Sequence, residues 1–356
     1  MKKQFVFENK KLSTIKRLRI LENRDLKNGL RLNRNERVDN FENGILKKIF
    51  SKTEKYDLGK YPDHKTIYKL LSKFLSVKVE NLLISSGSDG SIKSIFEIFL
   101  SKNDKVAVTS PTYAMYQVYS NVFKTKLIKL TYNDNFKLNK KELYKTIKNK
   151  NIKILFLPNP NQPIEDIISL KEIKKICNIC KKEKILLVID EAYFMFGAPT
   201  AAKMVSKYEN LVVLRTLSKS FGLPSIRFGF IIASKKIIQI MDSYRLSYES
   251  NFLTDTVVKY FLDNISKIKN HINKIKAGRE YVRKECLKLN FNVIGKKSNF
   301  LLIDFKNLET KNKILKKLKK SKIYTKSNYT GFLKTCILVT CGSKKLMSKF
   351  INTIKS

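Results

Sequence analysis

Histidine is almost missing from this chain. His64 and His271 are the only two, and neither sits in a Ser/Asp or Cys constellation. A histidine-based triad or a His-rich metal centre therefore has little material to form from. Cysteine is scarce as well. Cys177, Cys180, Cys286, Cys336 and Cys341 form an odd, scattered set. That pattern excludes a disulfide framework and predicts reduced thiols in a cytoplasmic protein. Cys177-x-x-Cys180 has redox or metal spacing, but no second ligand pair follows it, and it falls in a helical stretch, so helix packing is expected. No apolar run approaches the roughly 20 residues a membrane helix needs. Met1-Lys2-Lys3-Gln4-Phe5 leads straight into charged sequence, so no secretory leader is expected. Repeats and low-complexity linkers are also missing.

Acidic residues are the remaining deficit: 30 Asp and Glu stand against 73 Lys and Arg, a net charge of +43. Such a balance invites a nucleic-acid or membrane partner. Yet the lysines run along the whole chain among many Ile and Asn, as a compositional bias towards A/T-rich codons would produce. No helix-turn-helix, zinc-finger spacing or aromatic-basic motif stands out. A solvated lysine surface is the expectation, including the run 311–322, with no nucleic-acid partner. A field of this sign would still steer a small anionic substrate inward.

What the chain does contain is a large core in the making. Its 356 residues exceed one ordinary core, and 43% are hydrophobic. Helical spacing at Ile67, Leu70, Leu71 and Phe74 precedes the apolar run Leu82-Leu83-Ile84. A helix with Ile92, Ile95, Phe96 and Phe99 follows. Further strands are expected at 106–108, 153–157, 185–189, 211–214 and 228–233, with a helix at 169–182. Short all-apolar strands alternating with helices predict an α/β fold with a mostly parallel sheet covered by helices on both faces. Residues 246–290 read as one long helix or a broken pair. Strands at 300–305 and 337–341, a lysine-rich helix at 309–320 and a last helix make a smaller α+β unit. The expected division is an arm and small-domain segment at 1–44, a large domain at 45–245 and a small domain at 246–356.

Five segments carry chemistry. After the strand at 211–214 comes Arg215-Thr216-Leu217-Ser218-Lys219-Ser220-Phe221-Gly222-Leu223-Pro224-Ser225-Ile226-Arg227. A lysine amine can form an imine with an aldehyde cofactor. Hydroxyls at Thr216 and Ser218 and the Arg227 guanidinium can bind a phosphate. Asp190, in Ile189-Asp190-Glu191-Ala192-Tyr193, ends a buried strand, where ligands of α/β sheets bind. Its carboxylate can pair with a protonated pyridine nitrogen, with Tyr193 within reach of the ring's phenolic oxygen. Alone, Asp190 could also be a helix N-cap, the lesser of the two readings. Ser86-Gly87-Ser88-Asp89-Gly90 before a helix can bind an anion through its amides. An aromatic ring of Ser110-Pro111-Thr112-Tyr113-Ala114-Met115-Tyr116 could stack on a flat cofactor. Pro158-Asn159-Pro160-Asn161-Gln162-Pro163 is a rigid turn beyond another strand.

In this order and spacing, the segments resemble fold-type I pyridoxal-phosphate enzymes, most closely the histidinol-phosphate aminotransferase group. Residues 31–36, Lys60-Tyr61-Pro62-Asp63 and Asn299-Phe300-Leu301 extend the resemblance over nearly the whole chain. It implies a transaminase with pyridoxal 5'-phosphate as cofactor and roles for named residues. Lys219 would be the imine lysine and acid/base, Asp190 the partner of the pyridine nitrogen, and Tyr193 the donor to the phenolic oxygen. Tyr113 would stack on the ring, with Gln162 near its phenolic oxygen. Ser88, Asp89, Thr216, Ser218 and Arg227 would hold the phosphate. Tyr61 would complete the site of a second subunit, implying a homodimer.

Three departures stand out against that family. The Asn-Pro-Thr-Gly turn reads Gln162-Pro163-Ile164-Glu165; Ser247-Tyr248-Glu249-Ser250-Asn251 replaces Pro-Tyr-Asn; and the arginine that forks a substrate carboxylate becomes Leu338. Lys334, read as lying about 13 Å from Leu338 along an extended strand, cannot substitute. The expected substrate is therefore a small phosphorylated amine or ketone, of three or four carbons. Alternatives are histidinol-phosphate transamination, decarboxylation of a phosphorylated amino acid, and a nucleic-acid-binding protein on an inactive scaffold.

Overall fold

The computed structural model describes residues 29–356. The first 28 residues of the expected arm, and the leader reading at Met1–Phe5, lie outside the described residues. A short strand, β1 (Leu30–Leu32), comes first. Seven strands then form one sheet: β2 (Leu82–Ser85), β3 (Lys105–Ser110), β4 (Lys126–Thr131), β5 (Ile154–Pro158), β6 (Leu186–Asp190), β7 (Leu211–Thr216) and β8 (Gly229–Ala233). Their spatial order is β2-β8-β7-β6-β5-β3-β4. Pairing is parallel from β4 through β7, and β8 runs antiparallel to both neighbours. The sheet is mostly parallel, as the unbroken apolar runs require.

Side-chain alternation splits the core in two. Val106, Val108, Phe156, Val188, Val212 and Leu214 point to one face, packed on Ile92, Ile95 and Phe96 of the helix Gly87–Phe99. Ala107, Leu155, Leu157, Leu187, Ile189 and Val213 point to the other, under the helix Leu170–Lys182. Cys177 and Cys180 are buried there, and burial pushes both thiols up to about 12, so they are packing groups rather than thiolates. The edge strand β4 (KLIKLT) escapes an apolar-run reading because Lys126 and Lys129 face outward, as suits a sheet edge.

Residues 246–290 hold a broken pair, the helices Phe252–Asp263 and Ile265–Lys288, meeting at Asn264. Beyond them lie β9 (Asn292–Ile294), β10 (Phe300–Asp304), β11 (Ile323–Thr325) and β12 (Cys336–Thr340). β12, β10 and β9 form an antiparallel sheet, while β11 pairs in parallel with β1. Two expectations change here. The helix Leu308–Lys320 is not a wholly solvated lysine face, because Lys311 is buried and donates to Ser327 O and Lys334 O at 2.9 and 2.6 Å. Lys334 follows the turn Gly331–Leu333 rather than lying in a strand, so extended spacing does not relate it to Leu338.

Candidate active site

The carboxyl ends of β3, β5, β6 and β7 open into one cavity of about 800 Å³. Ser88, Asp89, Tyr113, Gln162, Asp190, Tyr193, Thr216, Ser218, Lys219 and Arg227 all line it. A parallel sheet delivers this convergence directly, since successive strand ends face the same way. Another cavity, of about 890 Å³, lies beside β1 and holds none of these residues.

Asp190 is 5% exposed at the end of β6. Tyr116 O–H donates to its Oδ2 at 2.8 Å, and Ala192 N donates to Oδ1 at 3.0 Å. Burial raises the carboxyl to about 6, against the lowering effect of those two bonds. Such a group gains most from a cation placed beside it. Behind it, Glu191 takes a two-pronged contact from Arg215 Nε and Nη2 at 3.0 and 2.9 Å, fixing β6 against β7.

Lys219 points into the cavity and donates from Nζ to Asn35 O at 3.2 Å. Burial lowers its amine to about 8, partly opposed by Glu36. Asn35 is a hub that the sequence reading left without a role. Its Nδ2 donates to Tyr193 Oη at 2.9 Å, its N donates to Thr340 Oγ1 at 2.8 Å, and its carbonyl also accepts from Asn299 Nδ2 at 3.2 Å. It holds a left-handed φ of 54°, which asparagine tolerates better than most residues. Burial raises the Tyr193 phenol, so it keeps its proton and can donate into the cavity.

An anion cradle lies beside the lysine. The helix Gly87–Phe99 starts at the cavity wall, and among the described residues no side chain caps its amides. Thr216 Oγ1 and Ser218 Oγ are 2.9 Å apart. Arg227 closes the side so tightly that a Cβ at Gly87, whose φ is +73°, would sit 2.8 Å from Arg227 Nη2. Asp89 Oδ1 is taken by Tyr119 O–H at 3.1 Å, which leaves its backbone amide as the group for an anion. Tyr113, 41% exposed, stands edge-on to Tyr116 with centroids 6.4 Å apart. It is thus Tyr113 that presents a ring to the cavity, while Tyr116 serves Asp190, a role sequence did not distinguish.

Tyr61 lies elsewhere in its own chain. It is 79% exposed and stacks on Tyr248 at 4.4 Å. His64 has gained a partner the sequence did not suggest: its Nδ1 lies 2.7 Å from Asp255 Oδ2, while Ser250 O–H donates to the other oxygen. The serine meets the aspartate and not the histidine, so this is no hydrolytic triad. Leu338 is fully buried in β12. Directly across from it, in a bridge with N–H···O bonds of 2.8 and 3.1 Å, sits Lys326, which lines the cavity. Cross-strand partners project from the same face. A cation thus stands on the cavity wall across the bridge from Leu338.

The residues fit the cofactor that the resemblance implies. Open helix amides, two hydroxyls and a guanidinium suit a phosphate; a buried carboxyl suits a ring nitrogen; and a partly neutral amine suits an aldehyde.

Comparison with known proteins agrees. The family model for aminotransferase class I and II matches residues 33–354. Histidinol-phosphate aminotransferase of Clostridium novyi (strain NT) is 29% identical over 330 residues, covering 92% of this chain and 91% of that protein. The enzyme of the same name from Brachyspira hyodysenteriae is 30% identical over 335 residues, 92% of each. Among solved structures, histidinol-phosphate aminotransferase from Sinorhizobium meliloti in complex with pyridoxal-5'-phosphate superposes with a TM-score of 0.82 at 19% identity, covering 99% of this chain and 96% of that one. L-threonine-O-3-phosphate decarboxylase from Porphyromonas gingivalis gives 0.76 at 18% identity, covering 92% and 98%. At those identities the structures speak for the fold alone. With the family model spanning nearly every described residue, the chain belongs to the class I and II aminotransferases.

Proposed function

We propose that this enzyme is a pyridoxal-phosphate transaminase whose substrate pair includes a small phosphorylated amine or ketone. Lys219 Nζ would hold the cofactor and carry the proton of the 1,3-shift. Pyridoxal phosphate, when bound, supplies an electron-withdrawing ring conjugated to the substrate nitrogen. Asp190 would keep a negative charge at the ring nitrogen, and Tyr193 would donate to the phenolic oxygen, with Gln162 beside it. Tyr113 would pack on the ring. The amides of Ser88 and Asp89, the hydroxyls of Thr216 and Ser218, and Arg227 would hold the phosphate.

The observation behind the substrate class is Lys326 on the cavity wall, bridged to the fully buried Leu338. A guanidinium forks a planar carboxylate through two parallel bonds. An ammonium is a point charge that serves a phosphate well and copies the fork poorly. Burial lowers the Lys326 amine by disfavouring its charged form, and an anion beside it would offset that penalty. The test compares single-turnover half-reactions of small phosphorylated amines, their dephosphorylated forms, histidinol phosphate and glutamate, in wild type and Lys326→Ala. The variant should weaken the phosphorylated substrates about tenfold or more, as expected for a lost charged hydrogen bond, and leave the dephosphorylated forms unchanged. Equal loss for both sets would sink the assignment.

Histidinol-phosphate transamination is the second reading, favoured by the names of the curated relatives. It too joins a phosphate to an amine without a carboxylate, and the same series separates it by the need for the imidazole. Carbon-dioxide release in that series would instead identify a decarboxylase. We also infer a homodimer in the cytoplasm. The exposed Tyr61, Leu58 and Leu253 around one hollow support self-association, and five unpaired cysteines suit a reducing compartment.

A further inference from the structure

Glu165 stands where the resembling family has the glycine of its Asn-Pro-Thr-Gly turn, and a carboxylate there needs a reason. It is 8% exposed. Its Oε1 accepts from the backbone N of Lys296 and Lys297 at 2.5 and 2.6 Å, and its Oε2 accepts from Ser298 Oγ at 2.5 Å. These donors lie more than 130 residues away, in the loop between β9 and β10. Gly295 opens that loop with φ +124°, where a side chain would be strained and a Cβ would lie 3.0 Å from Phe300 O. A carboxylate satisfied by two successive amides and a hydroxyl is a fitted contact rather than a stray surface charge.

Both ends of this contact lead to the cavity. On one side, Gln162 lines it, and the loop behind Gln162 is pinned by Asn161, which accepts from Thr112 O–H at 2.6 Å and donates to Pro111 O at 3.0 Å. On the other side, Ser298 precedes Asn299, whose Nδ2 donates to Asn35 O. That same carbonyl receives the Lys219 amine. Arg279 Nη1 donates to Ser298 O at 2.6 Å and seats the loop from behind.

We propose that Glu165 is a positioning residue: it straps the β9–β10 loop to the Gln162 turn and so places Asn299 and Asn35 against Lys219. The proposal rests on the reading of Lys219 as the cofactor lysine only for its spectroscopic consequence. Glu165→Gln keeps the size but removes the charge, so the Lys296 and Lys297 amides are left with a neutral acceptor. Glu165→Gly restores the backbone of the resembling family, and is the variant chosen to fold.

Two readouts decide the matter. In the cofactor-free protein, amide exchange should speed up at 296–299 and also at Asn35, about tenfold or more for a contact of this kind. With pyridoxal phosphate bound, the pH midpoint of the visible band should move in both variants, and the amino donor's KM should rise more than kcat falls. Exchange confined to 296–298, with Asn35 and the band midpoint unmoved, overturns the proposal and leaves Glu165 a local staple. A wild type without any visible band would instead count against the role of Lys219, and Asn35 exchange would still decide for or against the strap.

Discussion

Burial moves the two central ionisable groups towards each other on the pH scale. Lys219 falls from 10.5 to about 8, and Asp190 rises from 3.8 to about 6. The signs have opposite consequences. The lysine's folded value lies below its unfolded one, so folding carries a cost below pH 8 that fades as pH climbs from 8 towards 10.5. The aspartate's cost grows as pH rises from 3.8 through 6. For chemistry the lysine matters more, because only the neutral amine attacks an aldehyde. The rate of pyridoxal-phosphate capture by the cofactor-free enzyme should rise with pH to a midpoint near 8. A midpoint near 10, that of an ordinary lysine, would contradict the burial argument. That Lys219, Asp190 and Arg227 would meet in one cavity was readable, because each stands at or close to the end of an apolar strand. The roles of Asn35, Tyr116 and Lys326 were not. Each acts on a residue far off in sequence or across a strand, and only folding pairs Asn35 with Tyr193 or Lys326 with Leu338.

The element that shapes the cradle is the contact between the helix Gly87–Phe99 and β8. A Cβ on Gly229 would lie 2.5 Å from the Gly87 carbonyl carbon and 2.7 Å from Ser88 N. Both are backbone atoms that cannot turn aside. Gly229→Ala should therefore cost about 1–3 kcal/mol of stability by overpacking. It should also push the helix start from Arg227 and weaken pyridoxal phosphate more than pyridoxal, which lacks the phosphate. Denaturant melts and the two binding titrations check this, and equal weakening of both ligands would refute it. The strands flanking this contact were plain in the sequence because they are buried on both faces and wholly apolar. The helices Lys140–Asn149 and Lys235–Tyr244 and the edge strand β4 were missed: their lysine-rich, half-exposed patterns resemble the rest of this basic chain.

At the scale of the whole molecule, the charge of +43 and the exposed aromatic face pull in different directions. Like charges oppose self-association, whereas Tyr61 on Tyr248, with Leu58 at 70% and Leu253 at 50% exposure, offers a compact apolar patch. The dimer inferred here should strengthen with salt, which screens the lysines without weakening apolar contact. Sedimentation at low and high ionic strength tests this. A monomer under both conditions that binds pyridoxal phosphate fully would remove Tyr61 from the site. The proposed chemistry stands on Lys219, one among the chain's many lysines. Borohydride reduction of the enzyme loaded with pyridoxal phosphate, followed by peptide mapping, tests it most directly. A single pyridoxyl-lysine is expected in the peptide containing Thr216 to Arg227, at Lys219, and none in Lys219→Ala. A label spread over surface lysines, or fixed on another lysine in the variant, would contradict it.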